Sequence, residues 1–151
     1  MKRDRGFTLI EVIVVIAIVG ILSATAIPFY NRYRQRTYGS EAQVMVKQII
    51  DAEIAYYLQN DTFYPPNLGD TVAIFSNDPP NKQEITDIKN ALKIVIPVRH
   101  NLDFTITRGV DGDNVDAVLV TVGSAGGAFA LFSDGSVSIT GLVNKDGKIQ
   151  P

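Results

Sequence analysis

Apolar residues fill positions 7–27 with few interruptions, and the rest of the chain can be placed from that run. As a helix it would be about 31 Å long at about 1.5 Å per residue, close to the hydrocarbon thickness of a bilayer. One residue breaks the pattern. Glu11 sits inside the run, where an isolated carboxylate is costly and therefore points to a function. Upstream are Lys2, Arg3, Asp4, Arg5 and Gly6, a short basic leader. Helical character continues past Pro28 to about Leu58. Pro28 lacks an N–H and predicts a kink, and Gly39 predicts a second soft spot.

Side chains projected at 100° per residue over 40–58 give an apolar arc of roughly 200°, wider than that of a typical surface helix. Ala42, Met45, Val46, Ile49, Ile50, Ala52, Ile54, Tyr56 and Tyr57 form it, with Glu53 in its middle. Pro65 and Pro66 end the helix. Residues 72–75 read as a short strand. Asn81 and Glu84 are spaced as a capping box before the apolar ladder Ile85, Ile88, Leu92 of a second helix. Beyond it the period becomes two. Residues 93–98, 104–107, 117–122, 129–132 and 137–139 read as strands, with turns at 124–127, 133–135 and 144–147. Short turns imply antiparallel pairing. The fold class is therefore α+β, a long N-terminal helix whose outer half packs on an antiparallel sheet.

Charge and composition narrow the function. The 151 residues allow one modest domain beyond the apolar helix. From Thr37 onward eight Lys or Arg face fourteen Asp or Glu, a balance of −6 that gives no basic footprint for nucleic acid. There is no cysteine, so stability must come from the core, from neighbours or from a bound ion. Catalysis is poorly supported, and the chain is not expected to be an enzyme. The single histidine, His100, falls at an expected strand end, and residues 123–127 are glycine-rich without the Lys-Ser/Thr end of a phosphate loop. No cofactor is expected apart from calcium, for which Asp111, Asp113, Asn114 and Asp116 are the candidate ligands. Their spacing departs from the EF-hand pattern, and a solvated acidic hairpin is the plainer reading.

Gly6, Phe7, Thr8, Leu9, Ile10 and Glu11, with Gly20 and Pro28 following, closely resemble the N-terminus of type IV prepilins and of the pseudopilins of type II secretion. An ordinary secretory signal is cut after its apolar core, but the small residue available here, Gly6, precedes the core. The resemblance implies cleavage by a prepilin peptidase between Gly6 and Phe7 and N-methylation of Phe7. It also implies assembly through Glu11 and the Phe7 amine, and a kink or unwinding between Gly20 and Pro28. The expected division is 1–6 leader, 7–28 transmembrane and assembly helix, 29–60 outer half of the helix, and 61–151 a pilin-like head.

The partners implied are further copies in a helical filament, the peptidase, an inner-membrane platform protein with its ATPase, and the bilayer before assembly. The leader would be cytoplasmic and the head periplasmic. Glu53 would either be solvated or locally paired at the end of the sheet, or bridge to Arg32, Arg34 or Arg36 of a neighbouring subunit. The leading expectation is a type IV pilus shaft subunit. The alternatives are a major-type pseudopilin, an adhesin-like minor pilin and a monomeric membrane-anchored binding module.

Overall fold

The computed structural model describes residues 7–76, 82–97 and 101–150. Gly6, Asn81 and His100, each singled out above, lie outside them. Two compact units are present, Met1–Arg34 and Gln35–Pro151.

Helix α1 runs Leu9–Asn60, and its helical assignment is continuous through Gly20, Pro28 and Gly39. It stops where Asp61 takes a left-handed conformation and donates its N–H to the Tyr57 carbonyl. Then come β1 (Thr71–Ile74), α2 (Lys82–Leu92), β2 (Leu102–Val110), β3 (Asp116–Ser124), a single 3-10 turn (Ala125–Gly127), β4 (Ser138–Asn144) and β5 (Ile149–Gln150). The strands pair in chain order as one antiparallel sheet. Alternation sets its faces. Phe104, Ile106, Val118, Val120, Val122 and Val143 point into the core, while Thr105, Thr107, Thr121 and Thr140 stay half-exposed.

The outer half of α1 covers the core face with Ala42, Met45, Val46, Ile49 and Ile50, all from the apolar arc. Contact with the sheet is close. A Cβ on Gly141 would come within 2.6 Å of Ile50 Cδ1 and 2.7 Å of Val46 Cγ1, so any larger residue would have to push these helix side chains aside where α1 crosses β4. Gly39 is likewise a packing position and not the soft spot expected from helix propensity. It is buried, and a Cβ there would overlap the backbone carbonyl oxygen of Leu131.

Two expected strands are not strands. Residues 93–97 alternate, with Ile96 buried and Ile94 half-buried, but join no ladder of the sheet. Residues 129–132 belong instead to a long β3–β4 connection. There Phe129 meets Tyr38 at 5.3 Å between ring centroids and Leu131 is buried. The turn expected at 124–127 is thus only the start of that connection. The turn at 133–135 closes it, with Gly135 N–H bonded to the Phe132 carbonyl.

Candidate assembly site

Among the described residues of the N-terminal unit, nothing covers its apolar surface. α1 is long and apolar enough to cross a bilayer. Along it Leu9, Ile10, Val12, Ile13, Val14, Val15, Ile16 and onward to Ile27 are exposed. So contiguous an apolar surface marks an interaction with membrane or protein. Gly20 has nothing within 4 Å of where a Cβ would stand, so it makes no tight contact within the chain.

Glu11 is held locally. Thr8 precedes the first helical residue, and the Glu11 Oε2 accepts its N–H at 2.8 Å and its hydroxyl at 2.7 Å, while Thr8 Oγ1 accepts the Glu11 N–H at 3.4 Å. This is a capping box, Thr8-x-x-Glu11, which satisfies helix-end donors reciprocally. This cap was missed from the sequence, although the Ser/Thr-x-x-Glu spacing that signals it stands there. Both bonds fall on one carboxylate oxygen from neutral donors. The cap therefore fixes where the charge points without supplying a counter-ion. Phe7, just outside the cap, is 87% exposed.

Glu53 is not solvated, and it is not on a lateral surface. It is fully buried, and Oε2 accepts the Tyr64 backbone N–H at 3.0 Å, because segment 61–66 folds back on α1. Phe63 stacks on Tyr57 at 4.7 Å and Tyr64 sits edge-on to Tyr56 at 5.9 Å. Local pairing through a backbone donor was one of the two expectations, and a bridge to a neighbour's arginine is closed off in this conformation. Burial pushes the Glu53 carboxyl up to about 8, against the opposing pull of the Tyr64 N–H and of Arg108.

The acidic hairpin divides among separate partners. Asp116 makes a bidentate pair with Arg108, at 2.8 Å and 3.1 Å. Arg108 also donates to Thr62 Oγ1 and to the Pro66 carbonyl. Asp111 accepts the Asp113 and Val115 N–H groups and the Asn144 side-chain amide, bonds that hold its carboxyl below the usual range. Asp113 lies 3.6 Å from Lys148 Nζ, and Asn114 takes a left-handed turn conformation. Among the described residues no three His, Cys, Asp or Glu side chains converge in a way that could hold a metal ion. Arg108 and Asn144, which organise this corner, were missed because their roles come from strand register (Arg108 opposite Val118, Ala117 opposite Asn144).

Residues 1–27 match the prokaryotic N-terminal methylation motif. The chain is 41% identical over 61 residues to the type IV major pilin protein PilA of Myxococcus xanthus, covering 40% of this chain and 28% of that one. It is 38% identical over 89 residues to a fimbrial protein of Neisseria meningitidis serogroup B, covering 59% and 52%. It is 47% identical over 64 residues to a type IV major pilin protein PilE1 of Neisseria gonorrhoeae, covering 42% and 29%. The chain thus spans about half the length of these curated relatives or less. No solved structure matches it.

Proposed function

We propose that this chain is a member of the type IV pilin family and the repeating structural subunit of a type IV pilus, rooted in the inner membrane before assembly. The observation that carries the reading is the apolar helix with every described side chain between Leu9 and Ile27 exposed and a single capped carboxylate inside it. Such a surface needs an apolar environment at both stages of its life. In the bilayer lipid supplies it; in the filament the neighbouring helices do. The transfer exposes little apolar area to water, so packing and polar pairing decide the assembled state.

The processing follows the motif. A prepilin peptidase would cut between Gly6 and Phe7, and methylation of the new Phe7 amine would keep a cation one helical turn from Glu11. In a filament core an unpaired carboxylate is destabilising by several kcal/mol. A neighbouring subunit's Phe7 amine can meet Glu11 only at one axial stagger, so the pair would select register more than it adds net stability. The inner-membrane platform protein and its ATPase would drive extraction of the helix from lipid. The head would lie on the periplasmic side before export.

The relatives' printed names, major pilins and fimbrial proteins, favour a pilus over a secretion pseudopilus. A structural role accounts for the residues without catalysis. Shear fractions from cells producing the chain test this reading. The proposal expects long surface fibres composed chiefly of this protein. Short periplasmic fibres instead would favour the pseudopilin alternative, and a chain that stays monomeric in the membrane would overturn the filament reading.

A further inference from the structure

Segment 61–66 closes over Glu53, the only fully buried acidic residue among those described. One carboxyl oxygen takes the Tyr64 N–H, and the other, Oε1, is buried with no hydrogen-bond partner. Among the charged groups around it, Arg108 exerts a favourable pull, but its guanidinium is committed to other partners. From β2, Arg108 has its guanidinium engaged by Asp116 of β3, by Thr62 and by Pro66. From α2, Glu84 and Asp87 add negative potential at Tyr64, as Tyr56 of α1 does; α1 also brings the phenol of Tyr57 against Phe63, and the segment itself carries Asp61 and the phenol of Tyr64.

We infer that Glu53 enters this fold as the neutral acid and acts as a proton-held latch, its deprotonation releasing segment 61–66 from the helix. The neutral acid can still accept the Tyr64 N–H on Oε2 while carrying its proton on Oε1. The carboxylate would leave a charged oxygen buried without a donor, a cost relieved when the segment lifts and admits water. Lifting would uncover Phe63, which is 1% exposed when the segment is shut. The latch does not depend on what the chain assembles into.

Linkage sets the sign and the window. The closed state holds its proton up to about pH 8, whereas a solvated Glu53 loses it near 4.5. Between those values the open state binds fewer protons, so opening becomes about tenfold more favourable per pH unit, and it levels off above the closed-state value. Amide hydrogen exchange on the full chain in detergent micelles, corrected for intrinsic rates, reads this directly. Tyr64 protection should fall about a hundredfold between about pH 5.5 and 7.5, remaining below that of Val120 in the central strand. Glu53→Gln keeps the acceptor and removes the titration, so Tyr64 protection should become independent of pH. A flat wild-type profile, an unchanged slope in Glu53→Gln, or Tyr64 protection equal to that of Val120 would each overturn the latch. If the variant does not fold, the wild-type slope and the comparison with Val120 still decide it.

Discussion

Gly39→Ala sets helix propensity against packing, with opposite signs. By propensity alone, replacing an interior helical glycine by alanine should stabilise by about 1 kcal/mol. Here the new methyl would overlap the Leu131 carbonyl oxygen. That oxygen is backbone and cannot rotate away. Leu131 is buried, and its N–H is tied to the Ser136 carbonyl at 2.7 Å, so relief requires moving the β3–β4 connection off the helix. Overpacking costs about 1–3 kcal/mol, and partial loss of Leu131 burial adds about 1–2. Subtracting the propensity gain leaves a net loss of about 1–4 kcal/mol. For a head of this size that corresponds to a fall in Tm of about 4–16 °C. Near-UV circular dichroism of the tyrosines, followed on heating the full chain in detergent, reports head packing separately from the apolar helix. A Tm equal to or above wild type would refute the packing argument and restore Gly39 as a soft spot.

Arg108→Gln leaves Asp116 without its bidentate partner and frees Thr62 and Pro66. Because both side chains of the pair are partly exposed, the expected loss is about 1–3 kcal/mol, below that of a fully buried pair, with faster proteolysis in 61–66. Limited proteolysis and thermal melting check it, and an unaltered cleavage pattern would contradict the anchoring role. With Asp111, Asp113 and Asp116 engaged separately, adding calcium or EGTA should leave the Tm unchanged. A rise with calcium that is lost in Asp113→Ala would restore the metal reading. Intact mass of membrane-extracted protein from cells with a working prepilin peptidase should begin at a methylated Phe7. Retention of residues 1–6 would contradict the processing.

Period and apolar content made much of this fold legible. The run at 7–27, the second helix and the strand at β1 follow from local pattern, and the core face of α1 matches the arc read from residues 40–58. Strands β2 and β4 were read too short. Gly109 and Gly141 interrupt the alternation, and what keeps those residues in the sheet is cross-strand pairing. Residues 129–132 failed for the converse reason: they alternate, yet bury Leu131 against α1 and make no ladder. Glu53 is the clearest case. The run at 55–65 resembles the helix-to-loop junction of pilins, where an aromatic-Pro pair folds back on the helix, but nothing local says that this closure buries Glu53, since it depends on Arg108, whose sequence distance from Thr62 is 46 residues. The Thr8–Glu11 cap, by contrast, is local; it was missed although its Thr-x-x-Glu spacing could have shown it.

The central claim is that Glu11 is kept in the apolar helix for assembly, held in place by Thr8 and paired across subunits in the filament. Glu11→Val should insert at least as well as wild type, because it removes the one charge from the apolar run. The measurement is filament yield from Glu11→Val in cells lacking the wild-type chain, normalised to processed subunit in the membrane. Processed subunit at normal abundance with filaments lost is the predicted result. Normal filament yield would contradict the account.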